Sequence, residues 1–373
     1  ESAPEVAVEY GAPKQDLFGS VSGGSGSLVA WHERSTPTGP WSIYATRLDR
    51  NARVLDPESL FLGSSSCAEI APAVATDGRD YLTAWYDDHQ VVVASVGADG
   101  TFRKTHVVEN LAMRCDARPL GLVSNGTDYL LVWRMKDPAK DTLRLVGLRL
   151  RADGSAIDAA PFTIDALTTD EAYVWRAASN GQDYLVAWDY KAARVTSDGA
   201  VLDRHPGLIQ LGAGSLGELW WNGTSYLAEM YADAGGVRFL RIASDGTGGR
   251  PRNGPQPAVT PWPSYARGDF PTSMACNARG CTGAMVKSED YGSSAVTMLR
   301  FHDDGTNITI SAQPTDFTYH DADDRYESHP TAVIHSGRMA LLYLARPTAR
   351  PYSNVRRLFV AAEVPPRARA VRH

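Results

Sequence analysis

Hydrophobic and polar positions along the chain follow a recurring pattern. A tight polar turn is followed by a short stretch in which aromatic and aliphatic residues alternate. The pattern stands as Asp77-Gly78-Arg79-Asp80-Tyr81-Leu82-Thr83-Ala84-Trp85, Asn125-Gly126-Thr127-Asp128-Tyr129-Leu130-Leu131-Val132-Trp133 and Asn180-Gly181-Gln182-Asp183-Tyr184-Leu185-Val186-Ala187-Trp188. A fourth copy is Asn222-Gly223-Thr224-Ser225-Tyr226-Leu227-Ala228-Glu229-Met230. Asn-Gly and Asp-Gly accept the positive φ of a tight turn. The alternation that follows fits a β-strand with a buried face.

The first strand residue after each turn marks a unit. The markers are Ser27, Tyr81, Tyr129, Tyr184, Tyr226, Cys281 and Met339, at intervals of 54, 48, 55, 42, 55 and 58 residues. Each interval has room for four short strands, which predicts an all-β, seven-bladed β-propeller of four-stranded antiparallel blades. In the second unit the strands are expected at 72–76, 81–85, 91–96 and 102–107. Between the last two lies Ala98-Asp99-Gly100, repeated as Ala152-Asp153-Gly154, Ser197-Asp198-Gly199, Ser244-Asp245-Gly246 and Asp303-Asp304-Gly305. Asp-Gly there predicts two-residue hairpins. The last unit has strands at 330–334, 339–344 and 357–362 and lacks a fourth. The alternating segment Pro4 to Tyr10 is expected to supply it and close the ring, removing an open sheet edge. Residues 1–364 then form one propeller domain and 365–373 a basic, mobile tail.

The pattern Asp/Asn-Gly-x-x-Tyr-Leu-x-x-Trp, followed by a strand and x-Asp-Gly, resembles the β-propeller repeats of secreted bacterial proteins. The resemblance covers nearly the whole chain and is specific for fold. It implies little about activity, because this architecture carries lectins, lyases, hydrolases and scaffolds alike. Units one, six and seven depart from the pattern, with Ser22-Gly23-Gly24-Ser25-Gly26, a cysteine pair and Ser336-Gly337 in place of the turn.

Composition narrows the class. Hydrophobic residues make up 43% and charged residues 21%, as in a globular protein, and the net charge of −6 argues against a nucleic-acid partner. There is no apolar run long enough for a membrane span. Cys276 and Cys281 flank a turn that a bridge would staple. Cys67 and Cys115 occupy equivalent places in neighbouring units, so their loops are expected to meet and bridge. Four cysteines so placed suggest an oxidising compartment, with zinc as the alternative for the C-x4-C pair. The chain begins at Glu1 without a leader, which reads as the mature form of an exported protein, taken as a monomer.

Candidate chemistry lies on the side opposite the Asn-Gly turns, where the longer loops emerge. Acids precede the first strand of each unit (Asp16, Glu69, Asp116, Glu171, Asp269 and Glu327). They would converge on the channel mouth to hold calcium or a cationic ligand, or else cap turns individually. Four positions before each turn, the expected channel lining is Gly19, Ala73, Gly121, Arg176, Glu218, Ala275 and Ala332. Arg176 and Glu218 are the charged exceptions, in neighbouring units. They read either as a structural ion pair or as a site in which Arg176 clamps a ligand carboxylate. Trp175 and Tyr173 lie alongside, and His89, Tyr326 and His329 share that face. The acid-rich 316–329 stretch offers Asp321, Asp323 and Asp324 as metal ligands, although it does not complete an EF-hand pattern.

Together these features favour a secreted module that binds a carbohydrate or extended peptide through its loop face. A polysaccharide lyase or glycosidase with its site at the channel mouth is the alternative, and a protein-interaction scaffold of a surface protein is the third reading. No Gly-x-Ser-x-Gly elbow, P-loop or His-Glu-x-x-His is present.

Overall fold

In the computed structural model the described residues are 6–7, 14–34, 40–67, 71–88, 90–108, 120–137, 142–168, 172, 174–231 and 237–248, followed by the strands 271–277, 280–289, 293–303, 308–320, 331–335, 338–345 and 357–362. They form seven antiparallel sheets. Six have four strands. The fifth has three among the described residues: Ser215–Trp221, Tyr226–Tyr231 and Val237–Ile242. The second sheet, Ala73–Thr76, Tyr81–Asp87, Gln90–Val96 and Phe102–Val108, follows the expected strands within one or two residues.

The first strand of each sheet neighbours the first strand of the next. Lys14–Ser22 lies beside Ala73–Thr76, which lies beside Gly121–Ser124, then Trp175–Ser179, Ser215–Trp221, Pro271–Asn277 and Thr331–His335, which returns to Lys14–Ser22. The architecture is a β-propeller. Val6–Ala7 pairs antiparallel with Arg357–Ala362, Val6 opposite Val360, so the N-terminal segment provides the outer strand of the last sheet. Crowding between these inner strands selects small residues. A Cβ on Gly19 would stand 2.1 Å from the Pro72 carbonyl oxygen of the next sheet.

The hydrophobic core lies between sheets. One cluster joins Leu82, Ala84 and Val93 of the second sheet to Tyr129, Leu131 and Trp133 of the third. The next joins Leu130 and Val132 to Tyr184, Val186 and Trp188. The alternation read in the sequence therefore buries both faces of each middle strand, one against each neighbouring sheet. The repeated Trp31, Trp85, Trp133 and Trp188 are all fully or almost fully buried.

Polar bonds across the seams supplement this packing. In each repeated turn the Asn or Asp carboxamide or carboxylate oxygen accepts two main-chain amides, as Asn125 Oδ1 does from Thr127 at 3.0 Å and Asp128 at 2.8 Å. In the first three copies the Ser or Thr before it caps the same turn; the Ser124 hydroxyl donates to the Asp128 carbonyl at 3.1 Å. The repeated tyrosine then crosses to the preceding sheet. The hydroxyls of Tyr129, Tyr184 and Tyr226 donate to the carbonyls of Asp80, Asp128 and Asp183 at 3.4, 3.1 and 3.4 Å.

A second seam device uses arginine. Arg47, Arg149 and Arg194 in the third strands pair with Asp56, Asp158 and Asp203, each nine residues later, with closest contacts of 2.6, 2.5 and 2.8 Å. Each aspartate also accepts its arginine's main-chain amide, at 2.8, 2.9 and 2.9 Å. Held in this way, Arg47 donates to the Ala98 carbonyl and Arg149 to the Ser197 carbonyl, both in the Asp-Gly turn of the following sheet. Arg194 reaches the corresponding turn of the fifth sheet, where a Cβ on Gly246 would meet its Nε at 2.8 Å.

Those Asp-Gly turns differ from the expected two-residue hairpins. In the second sheet Val96 pairs with Phe102, and the Gly97 amide donates to the Thr101 carbonyl at 2.7 Å. Three residues, Ala98-Asp99-Gly100, make the bend, with Gly100 at φ +87°. The aspartate explains the extra residue, because the Asp99 carboxylate accepts the Thr101 amide and holds the wider turn. Cys67 is buried and is not a free thiol. Cys115, with which a bridge is expected, lies outside the described residues, and the register sets Cys276 directly opposite Cys281.

The clamp makes a direct prediction. Arg149→Ala removes two charge-assisted contacts to Asp158 and one across the seam, and should lower unfolding stability by roughly 2–3 kcal/mol. Arg149→Lys should recover only part of the loss, since a point ammonium does not reproduce the planar fork. Thermal unfolding of both variants against wild type checks this. Equal melting temperatures for all three would remove the clamp from the account of stability.

Candidate functional site

Of the residues proposed from sequence to bind a ligand, Arg176, Glu218 and Trp175 are among those described. Arg176 stands on Trp175–Ser179 and Glu218 on the adjacent inner strand Ser215–Trp221. The two do pair across the sheets, Arg176 Nη2 to Glu218 Oε1 at 2.9 Å, with side chains 32% and 30% exposed. Arg176 Nη1 also donates to the Trp175 carbonyl at 3.0 Å. Trp175 is 1% exposed and packs with Leu130, Val132 and Tyr184, so it belongs to the core between the third and fourth sheets and presents no surface to a ligand.

Tyr173, Glu171, His89, Tyr326 and His329, and the candidate metal ligands Asp321, Asp323 and Asp324, lie outside the described residues. So do Glu69, Asp116, Asp269 and Glu327. Asp16 differs from expectation: it falls within Lys14–Ser22, in register with His32, rather than before the strand. The inner strands carry Gly19, Ala73 and Gly121 at the level of Arg176, each facing its register partner in the second strand: Ala30, Ala84 and Val132.

The structure adds a residue that sequence reasoning passed over. Glu229 occupies the position held by Ala84, Val132 and Ala187 in the other copies, and it is fully buried. The strand opposite makes room for it. Pairing jumps from Leu216–Met230 to Leu219–Ala228, so Gly217 and Glu218 form a bulge. The amide of Glu218, freed from the ladder, donates to Glu229 Oε2 at 3.2 Å. A Cβ on Gly217 would stand 2.5 Å from that same oxygen, so glycine leaves the space the carboxyl fills. Among the described residues Glu229 Oε1 has no hydrogen-bond partner.

Burial, and then the charge of Glu218, push the Glu229 carboxyl up to about 8, against smaller opposing effects of the Glu218 amide and Arg176. Tyr231, at the end of the same strand, is raised well above an ordinary phenol by burial and by the charges of Glu229 and Glu218. Burial pulls the Arg176 guanidinium down, but the charge and hydrogen bond of Glu218 outweigh it and leave it raised. At neutral pH the cluster therefore sets a buried neutral acid, able to donate a hydrogen bond from Oε1, beside the Arg176–Glu218 bridge. The sequence signal was the break in the fourth repeat: Ala228-Glu229-Met230 stands where the other copies end in small or aliphatic residues and tryptophan.

No family model matches the chain, and no curated protein matches it. Among solved structures it is similar to the β-propeller domain of the trilobed protease of Pyrococcus furiosus, at TM-score 0.49 and 9% identity, covering 94% of each chain. It is also similar to a neuraminidase-like protein of A/flat-faced bat/Peru, at TM-score 0.42 and 9% identity over 96% of this chain and 90% of that one. TolB from Acinetobacter baumannii matches at TM-score 0.37 and 9% identity, over 82% and 80%. At these values the likenesses carry no argument about function, and the fold rests on the sheet topology.

The raised Glu229 carboxyl sets a pH signature. Unfolded, the acid ionises near its ordinary value; folded, it holds its proton until about pH 8. Between those values the native state binds more protons than the unfolded state, so stability falls as pH rises and levels off above the folded value. Glu229→Gln keeps an acceptor for the Glu218 amide and removes the titration. Its melting temperature should gain on wild type progressively from pH 5 to pH 8. A difference that stays constant over that range would show Glu229 to be unperturbed.

Proposed function

We propose that this chain is an extracytoplasmic ligand-binding propeller that takes a carbohydrate or an extended peptide at the end of the axial channel where Arg176 and Glu218 stand. The observation that carries this reading is the polar cluster itself. At a level where three other inner strands carry glycine or alanine, two adjacent strands carry a one-third-exposed ion pair, backed by a buried acid with an unpartnered oxygen. A folded chain seldom keeps such a group without use, because a buried unsatisfied polar atom costs about 1–3 kcal/mol. Arg176 suits a ligand carboxylate, such as a uronate or a peptide terminus, and neutral Glu229 suits a ligand oxygen lying near Oε1.

The second reading, a carbohydrate-active enzyme, draws on Glu229 in particular. A neutral acid beside a second carboxyl group, that of Glu218, is the pairing that glycoside hydrolysis uses. In a glycosidase Glu229 would protonate the leaving oxygen and Glu218 would act as the paired carboxylate.

Calorimetric titration with acidic and neutral oligosaccharides and with short peptides tests the binding reading. Arg176→Ala should weaken binding by at least about tenfold, the loss of one charge-assisted hydrogen bond, with a smaller effect on melting. A variant that loses stability while binding an identified ligand as tightly as wild type would reduce the pair to a structural bridge. Turnover of a glycoside panel, abolished in Glu229→Gln, would select the enzyme over the binding module.

A further inference from the structure

The clamp arginine is replaced in the seventh sheet by Ala362, opposite Ala340, and in the second sheet by Ser95, where a groove opens. The register position of Arg47, opposite Leu28, recurs as Arg149 opposite Leu130, Arg194 opposite Leu185, Arg241 opposite Leu227 and Arg300 opposite Thr282. In the second sheet the residue opposite Leu82 is Ser95. Nine residues on, where Asp56, Asp158 and Asp203 receive the guanidinium, stands Lys104. The outer strand differs to match. Phe102–Val108 pairs with its neighbour directly after the turn, Ser95 opposite Arg103 and Ala94 opposite Lys104, with no aspartate inserted into the ladder.

The third sheet still presents the turn that a clamp would grip. Ala152-Asp153-Gly154 matches Ala98-Asp99-Gly100 and Ser197-Asp198-Gly199 in sequence. It also matches in conformation: Gly154 lies at φ +83° and the Arg151 amide donates to the Ser155 carbonyl at 2.8 Å. Between this turn and the second sheet lies a groove of about 380 Å3, lined by Ser95, Gly97, Asp80, Asp99, Ala152 and Asp153, with Arg79 and Arg103 completing its wall. Asp99 is exposed and ionised, lowered by hydrogen bonds from the Thr101 hydroxyl and amide. The charges that act most on Tyr81, Tyr184 and Tyr226 include the clamp arginines, whereas those acting most on Tyr129, which faces the open seam, are acidic or phenolic.

We propose that this groove is a binding site for a guanidinium group, supplied by an arginine side chain that takes the place Ser95 leaves unfilled. The molecule itself demonstrates the chemistry, because Arg47 and Arg149 seat a guanidinium against a turn carbonyl at the equivalent seams at 2.5 and 2.7 Å. An incoming guanidinium would donate to the Ala152 carbonyl as Arg47 donates to that of Ala98, with Asp80, Asp99 and Asp153 outnumbering Arg79 and Arg103 in the wall. The site is on the turn-bearing side, away from the Arg176 cluster, and stands independently of the function proposed for that cluster. Free arginine and an arginine within a partner chain offer the same group.

The test is titration of the isotopically labelled protein with arginine, with the tripeptide Gly-Arg-Gly and with Gly-Lys-Gly, following the amide resonances of Ser95, Ala152 and Asp153. The arginine probes should shift these signals, and the lysine peptide should bind at least about tenfold more weakly for want of the second hydrogen bond. Tighter binding of Gly-Arg-Gly than of arginine identifies a partner chain as the source, and equal binding identifies the free amino acid. The substitution Ser95→Arg should place a resident guanidinium in the groove and abolish binding. Asp153→Asn, which keeps the turn's acceptor for the Ser155 amide, should weaken binding and provides the check if that variant does not fold. Absence of shifts with either arginine probe, equal affinity for the lysine peptide, or undiminished binding in these variants overturns the proposal.

Discussion

The structure depends on how one sheet is held to the next. Within a sheet the backbone ladder is self-sufficient, but among the described residues no ladder crosses from one sheet to its neighbour. The seams rest on apolar packing between middle strands, on the repeated tyrosine that reaches the preceding turn, and on the arginine that reaches the following one. Packing gives the seam its adhesion and no direction. The hydrogen bonds fix register and angle, because a hydroxyl or guanidinium must meet a particular carbonyl. An Asx turn of fixed shape serves the seams of the second to fifth units, which accounts for the repetition of Asn/Asp-Gly there.

Because the seams are built from repeated parts, departures from the repeat carry meaning. At the fourth and fifth sheets the small inner residues give way to Arg176 and Glu218, and the bulge at Gly217 and Glu218 admits a carboxyl into the core. At the second and third sheets the clamp gives way to Ser95 and a groove. Both sites arise in the same way, as one copy surrenders a structural contact that its siblings keep. Removing a charge-assisted contact and burying an unpaired acid each cost stability, and the remaining seams supply the rigidity that tolerates those losses.

Much of the fold was legible from spacing alone. The Gly-x-x-Tyr-Leu pattern located the second strand of four units, and the gap before the next turn set the strand count. The alternating N-terminal segment was readable as the missing outer strand because the last unit ran short. The pairing of Arg176 with Glu218 followed from counting back from the turns. Other features required coordinates. The three-residue bend at Ala98-Asp99-Gly100 depends on a carboxylate bonding its own turn, which Asp-Gly does not distinguish from a two-residue hairpin. Trp175 reads as a surface aromatic near a polar pair and is core. Glu229 looks like variation in a fading repeat until the opposing bulge is seen. The Arg-x8-Asp spacing is shared by the three clamps, yet their target lies some fifty residues on, across a seam that only the folded ring creates.

The most direct test of the seam account is native-state hydrogen exchange at the Asp-Gly turns. The amides of Gly97, Arg151, Thr196 and Ala243 make the same hydrogen bond within equivalent turns. Three of these turns are reached by an arginine of the preceding sheet, and the turn at Arg151 faces Ser95. If arginine clamps lock the seams, Gly97, Thr196 and Ala243 should exchange together with the strands behind them and Arg151 should exchange faster. Equal protection at all four would mean that packing alone holds the sheets together, and the clamp would be incidental to the ring.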